Sequence, residues 1–127
     1  MNILLDTHVL IWSLANSPDL GAKAKELIIT GDNLIFVSAA SIWEIAIKKS
    51  IGKLKAPDNL LEELTLHRFT LLDINAEHAL AVEKLPDIHK DPFDRMLIAQ
   101  AGVESLQLIT ADSQVRKYPV SVIAAEL

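Results

Sequence analysis

Short apolar runs alternate with longer segments of helical pattern along this chain, and this alternation limits the fold more than any other feature. The runs have the length and branched side chains of buried strands, whereas the segments between them repeat apolar residues at helical spacing. Strands are predicted at residues 2–5, 34–37, 69–74, 106–110 and 120–123. Helices are predicted after the first strand and at residues 20–30, 39–51, 59–67, 76–85 and 91–101. Because strands that alternate with helices pair in parallel through crossovers, the sequence predicts a three-layer α/β fold with a central, mainly parallel five-stranded sheet.

A single domain accounts for residues 1–127, because this length fits one hydrophobic core and half of the residues are apolar. The chain has no cysteine, which excludes disulfide scaffolds and thiolate zinc sites and suits the reducing cytoplasm, the predicted location. No apolar run reaches the roughly 18 residues of a membrane span, and Asp6 interrupts the N-terminus where a signal peptide would be apolar. The net charge of -5 argues against a general polyanion-binding module.

Four acidic residues fall where a parallel sheet would bring them together. Asp6 and Asp112 lie just past the first and fourth predicted strands, Glu44 lies about two turns into the helix after the second strand, and Asp94 lies in the first turn of the helix before the fourth. Ligands of such sheets bind beyond the carboxyl ends of the strands. Carboxylates gathered there repel one another unless a hard divalent cation such as Mg²⁺ or Mn²⁺ neutralises them. The predicted chemistry is metal-assisted hydrolysis of a phosphodiester.

Each of these residues also has a purely structural explanation. Three aspartates suit the N-cap position of a helix: Asp6, Asp91 and Asp112. Glu44 follows Ser41 at the spacing of a capping box and precedes Lys48 at the spacing of a helical ion pair. Asp94, at the third helical position, suits the helix dipole. These explanations are reasonable singly, but they do not account for the predicted convergence.

The basic residues and histidines give weaker signals. Lys48, Lys49 and Arg95 lie near the acidic positions and are predicted to bind the nucleic-acid substrate through phosphates on either side of the scissile bond, although a solvated helix end is the alternative. The histidines are scattered without an i, i+4 pair, so none is predicted to bind metal: His8, His67, His78 and His89.

Four segments together resemble the PIN-domain family, and within it the VapC-like toxins of bacterial toxin–antitoxin pairs. They read LLDTHV from Leu4, SAASIWEIAIK from Ser38, HKDPFDRMLIAQA from His89, and TAD from Thr110. The resemblance covers essentially the whole chain and implies a Mg²⁺- or Mn²⁺-dependent endoribonuclease. It implies that the catalytic and metal-binding carboxylates are Asp6, Glu44, Asp94 and Asp112. It also implies that Asp91 lies close by, and that hydroxyl support comes from Thr7, Ser38 and Thr110.

The resemblance further implies a homodimer and an antitoxin that inserts a segment into or beside the acidic groove. The acidic net charge favours a structured or sequence-limited RNA substrate over indiscriminate degradation. Three alternatives stay open: a PIN nuclease that acts in RNA processing or on DNA, a catalytically silent binding protein, and a phospho-receiver signalling domain. The receiver would use Asp73 as its phosphoacceptor, but it also needs a lysine after the last strand, and none follows Val120.

Overall fold

The computed structural model describes residues 1–127, and its architecture is the predicted three-layer α/β fold. The strands are β1 (Asn2–Leu5), β2 (Leu34–Ser38), β3 (Thr70–Leu72), β4 (Gln107–Thr110) and β5 (Val122–Ala124). The helices are α1 (Thr7–Ala15), α2 (Ala22–Ile29), α3 (Ala39–Ser50), α4 (Leu60–Leu66), α5 (Ala76–Ala81) and α6 (Pro92–Glu104), with single 3₁₀ turns at Val82–Lys84 and Val115–Lys117. None of the helices combines the length and the apolar character that crossing a membrane requires.

The sheet is parallel throughout, with the strand order β3-β2-β1-β4-β5. After β1 the chain builds one side of the sheet with β2 and β3, and it then crosses to the other side to add β4 and β5. Strand order therefore reverses between β1 and β4. This is the position at which a parallel sheet opens a crevice beyond its strand ends.

Alternate residues of β1 face the two helical layers, as the pleat of a strand requires. Ile3 and Leu5 are fully buried in the larger core cluster, which includes side chains from α1 and α2. Leu4 points to the other face, where it packs with Leu97 and Ile98 of α6. Burial on both faces explains why the central strands read as continuous apolar runs.

Several predicted boundaries shift, and three of the shifts have clear local reasons. The third strand covers only 70–72 of the predicted 69–74, because its partner β2 ends at Ser38, which pairs with Leu72. The helix predicted at 76–85 tightens into a 3₁₀ turn after Ala81, shortly before Pro86, which cannot continue a helix. The helix predicted at 91–101 continues to Glu104, where Ser105 adopts the left-handed conformation that ends it.

Candidate metal centre

Asp6 lies at the carboxyl end of β1 and begins α1. Its Oδ1 accepts a hydrogen bond from the Val9 amide at 2.8 Å, so the N-cap explanation is confirmed. Its own amide donates to the Ile109 carbonyl at 3.1 Å, which ties it to the neighbouring β4. Burial raises the pKa of Asp6 above its ordinary value, against the lowering effect of a hydrogen bond from Thr110. The negative charge of Asp112 also raises this pKa, so the carboxylates that follow β1 and β4 are close enough to repel each other.

Glu44 is a buried acid inside α3. The N-cap of this helix is Ser38, whose Oγ accepts from the Ala40 amide at 3.0 Å. The capping-box explanation is therefore wrong, because Ser41 already lies within the helix. The ion-pair explanation is confirmed, since Lys48 Nζ lies 2.5 Å from Glu44 Oε2. The other oxygen, Oε1, is buried and has no hydrogen-bond partner.

Asp91 and Asp94 occupy the first turn of α6 in different roles. Asp91 is the N-cap, and its Oδ1 accepts from the amides of Phe93 at 2.8 Å and Asp94 at 3.1 Å. Burial raises the pKa of Asp94 to about 6, and the negative charges of Asp91, Asp6 and Glu44 contribute to the same increase. Asp94 thus interacts with carboxylates from β1 and α3, which lie far from it in the sequence.

Asp112 follows β4 and begins the turn before the second 3₁₀ segment. Its amide donates to Thr110 Oγ1 at 3.0 Å, and its Oδ1 accepts from the Gln114 amide at 2.8 Å. The capping explanation for this residue is wrong, because the N-cap of that 3₁₀ segment is Gln114 and Asp112 only closes the turn before it. Its second oxygen, Oδ2, lies 3.1 Å from Nε2 of His89.

His89 is the functional candidate that the sequence did not reveal. Its Nε2 lies 2.9 Å from Asp94 Oδ2 as well as 3.1 Å from Asp112 Oδ2. One ligand atom from each of these three residues fits within 4.8 Å of the others, which is compatible with a shared metal ion. The available sequence signal was its position two residues before Asp91, inside the motif that carried the family resemblance.

The predicted hydroxyl supports differ in what they contact. Thr110 lowers the pKa of Asp6 and accepts from the Asp112 amide. Thr7 donates to Ser41 Oγ at 3.0 Å, and Ser38 donates to a buried glutamine oxygen at 2.5 Å. Thr110 is therefore a direct partner of the acidic group, whereas support from Thr7 and Ser38 stays a prediction.

Each predicted RNA-binding residue has an intramolecular partner. Lys48 pairs with Glu44, and Lys49 Nζ lies 2.5 Å from the exposed Asp58. The Arg95 guanidinium donates to the carbonyls of Pro86, His89 and Val82 and to a tyrosine hydroxyl. RNA contact by these three residues stays a prediction, and Arg95 has fewer free donors for it than the lysines.

The acidic group fits a divalent cation. Asp94 and Asp112 lie close enough together with His89 to share an ion, and they offer the oxygen ligands that Mg²⁺ and Mn²⁺ prefer. Asp6 and Glu44 stay predicted ligands, and their charges act on Asp94. Mutual repulsion contributes to the raised pKa values of Asp6 and Asp94, and a bound cation would relieve it. The unsatisfied Oε1 of Glu44 is a buried acceptor that gains from such an ion.

Comparison with known proteins gives one family and a consistent set of folds. The PIN domain family matches residues 3–120. No curated protein sequence matches the chain. The structure of VapBC2 from Rickettsia felis bound to a DNA fragment from its promoter is similar, with a TM-score of 0.72 at 18% identity over 97% of this chain and 98% of that one. A toxin–antitoxin complex from Klebsiella pneumoniae gives 0.68 at 19% identity, and FitAcB from Neisseria gonorrhoeae gives 0.66 at 22% identity, each over 97% of both chains. At these identities the similarity establishes a common fold.

Proposed function

The chain belongs to the PIN domain family, a family of nucleases, and on this basis we propose that it is a Mg²⁺- or Mn²⁺-dependent endoribonuclease. It hydrolyses RNA phosphodiester bonds and is the toxin of a toxin–antitoxin pair. The receiver-domain alternative is wrong, because the matched family accounts for residues 3–120. The observation that carries the proposal is the group formed by His89, Asp94 and Asp112, whose ligand atoms lie within 4.8 Å of one another, and the negative charges of Asp6 and Glu44 also act on Asp94.

In this proposal Asp6, Glu44, Asp94 and Asp112 hold the cation. When bound, a divalent ion lowers the pKa of a water molecule and stabilises the charge that develops on the phosphate. Hydrogen bonds from the Val9 and Gln114 amides to the Oδ1 atoms orient Asp6 and Asp112. These two acids are therefore positioned by the backbone before any ligand arrives.

Lys48 is the best placed of the proposed phosphate contacts. Its hydrogen bond to Glu44 raises its pKa, and the charges of Asp91 and Asp94 act in the same direction. Its side chain is 39% exposed, so it can leave Glu44 and bind an RNA phosphate once a cation neutralises that carboxylate. Because the whole chain has a net charge of -5 and relies on such local contacts to bind phosphates, we propose a structured or sequence-limited RNA as the substrate.

We include an antitoxin and a second copy of the chain as proposed partners, in the cytoplasm. The fold is shared with a toxin–antitoxin complex from Klebsiella pneumoniae. Three apolar side chains are exposed on α3 and at the residue that ends it: Trp43, Ile47 and Ile51. Apolar surface beside a candidate site is a common feature of protein interfaces.

The test compares the parent protein with the variants Asp6→Asn and Asp94→Asn. We expect each variant to lower the rate of RNA cleavage at least about 100-fold, since even the outer partners of metal ligands are worth 10- to 100-fold. EDTA should abolish parent activity, and Mn²⁺ or Mg²⁺ should restore it. Asp32→Asn is the matched control, because Asp32 is exposed near the start of β2, at the other end of the sheet.

Substrate class is tested in the same assay with single-stranded RNA, structured RNA and DNA. Cleavage that survives EDTA, or that both substitutions leave intact, would refute the assigned site. Cleavage of DNA at the rate of RNA would favour the DNA nuclease alternative. Fast and uniform cleavage of unrelated RNAs would contradict the limited substrate range.

A further inference from the structure

We propose that His89 is a ligand of the bound cation, the one nitrogen donor in a site otherwise made of carboxylates, and that it biases the site toward Mn²⁺ over Mg²⁺. This inference rests on the proposed function in one respect, because it takes the acidic group to bind a divalent ion. It adds a residue and a metal preference that the four carboxylates alone do not imply.

The first support is the spacing of the three ligand atoms. His89 Nε2 lies 2.9 Å from Asp94 Oδ2 and 3.1 Å from Asp112 Oδ2. Neighbouring ligand atoms of an octahedral ion with bonds of about 2.1 Å lie about 3.0 Å apart. Without an ion these are hydrogen-bond distances. A cation that displaces the Nε2 proton finds the nitrogen at the separation from both carboxylates that shared coordination requires.

The second support is the way the loop holds His89. Its backbone amide donates to the Tyr118 hydroxyl at 2.7 Å, and its carbonyl accepts from Arg95 at 3.3 Å. Arg95 also donates to the same hydroxyl at 3.2 Å, and Tyr118 is only 4% exposed. Because both polar groups of its backbone are bound, the imidazole is presented to the carboxylates by a fixed support, as metal ligands in proteins commonly are.

An independent observation comes from α3. Glu44 is only 4% exposed, and its Oε1 has no hydrogen-bond partner. The negative charge of Glu44 also raises the pKa of Asp94. A buried carboxylate oxygen without a donor is costly. It gains a partner if a cation lies between Glu44 and the group formed by His89, Asp94 and Asp112.

The metal preference follows from ligand chemistry. Mg²⁺ prefers oxygen ligands and gives up its water reluctantly, so a nitrogen donor contributes little to holding it. Transition-metal ions accept imidazole readily. Mn²⁺ also fits the carboxylates, so a mixed site of this kind favours it over Mg²⁺.

The experiment uses Mn²⁺ as its own reporter in the full chain. Electron paramagnetic resonance of free Mn²⁺ gives the affinity, and electron spin echo modulation of the bound ion detects a directly coordinated ¹⁴N. We expect ¹⁴N modulation in the parent protein and its loss in His89→Gln and His89→Asn. We expect these variants to bind Mn²⁺ about tenfold more weakly or worse and Mg²⁺ within about threefold of the parent, measured by competition.

His8→Gln is the matched control, because His8 is the histidine whose charge acts on Asp6. It should keep the ¹⁴N modulation, and thermal unfolding should show that all variants are folded. Bound Mn²⁺ without ¹⁴N modulation, or with modulation that persists in His89→Gln, overturns the role of His89 while leaving the carboxylate site intact. No Mn²⁺ binding at all overturns both this inference and the proposed cation site.

Discussion

Lys48 and His89 both bring a basic group to the acidic centre, but the chain positions them by different means. Lys48 lies one helical turn from Glu44 on the same helix, and its side chain is 39% exposed. His89 meets Asp94 and Asp112 across different elements, is 23% exposed, and is held by Tyr118, a residue 29 positions away. One contact is local and exchangeable, whereas the other is built into the tertiary structure.

This difference indicates separate uses for the two sides of the site. A half-exposed lysine can release its carboxylate to an arriving cation, because the cation then replaces it as the partner of the buried Glu44. A fixed imidazole instead keeps its geometry with or without a ligand. Substitutions that remove each support should therefore differ in both stability and cation binding, and the following predictions run from the largest effect to the smallest.

Arg95→Met should cause the largest loss of stability, about 2–3 kcal/mol, because charged hydrogen bonds are worth about 1.5–3 kcal/mol and several acceptors lose their donor together. Those acceptors include the carbonyls of Val82, Pro86 and His89. Urea unfolding measures the loss, and Mn²⁺ binding should weaken in parallel because His89 is no longer held.

Arg116→Met is the control for that experiment, since Arg116 pairs with the exposed Glu126 at the surface. Its loss should cost at most about 1 kcal/mol. If the two arginine substitutions prove equal, the loop around His89 is not the fixed support described above.

Asp94→Asn should stabilise the cation-free protein at pH 7. The folded-state pKa is raised from 3.8 to about 6, so the folded protein holds more protons than the unfolded chain between these values, and stability falls as pH rises through that window. Such a pKa shift corresponds to a free energy of about 3 kcal/mol. Because the Asp94 side chain is 22% exposed, solvent screening reduces the expected gain in stability to about 1–2 kcal/mol.

Thermal or urea unfolding from pH 4 to 7 in EDTA tests this. The fall in stability across the window should be smaller in Asp94→Asn than in the parent. Asp58→Asn is the control, because the pKa of Asp58 is lowered by Lys49 and its substitution removes no such cost. A variant that is less stable than the parent at pH 7 would show that the charged form of Asp94 is not disfavoured in the folded protein, contrary to its raised pKa. With saturating Mn²⁺ the order should reverse, because only the parent gains binding energy.

Much of the fold was predictable because its signals are local. The first strand at 2–5 matches β1, since an apolar run ends abruptly at Asp6. The rule that ligands bind beyond parallel strand ends directed attention to Asp6 and Asp112, and the charge of Asp112 does act on Asp6. The pair of Glu44 with Lys48 was likewise visible from its spacing on one helix.

The role of His89 could not be predicted in the same way. Its contacts with Tyr118 and Asp112 span 29 and 23 positions, and neither leaves a periodic pattern in the sequence. The hydrogen bonds of Arg95 could not be predicted either, because they depend on how the loop before α6 folds back. Spacing rules describe neighbours on one element, and these contacts join several elements.

Lys48→Met should have the smallest effect on stability and the opposite effect on cation binding. We expect a loss of about 1 kcal/mol without cation, the low end of the cost of an unsatisfied buried group, because removal of the half-exposed Lys48 leaves the buried Glu44 carboxylate without its partner. Mn²⁺ should bind a few-fold more tightly, since a competing positive charge beside Glu44 is removed. Calorimetric titration of the parent and the variant measures this, with Lys53→Met as an exposed control. Tighter Mn²⁺ binding in Lys48→Met together with weaker binding in Arg95→Met would establish that Lys48 and His89 serve the site differently. Weaker binding in both variants would mean that Lys48, like the support of His89, helps to hold the site in place.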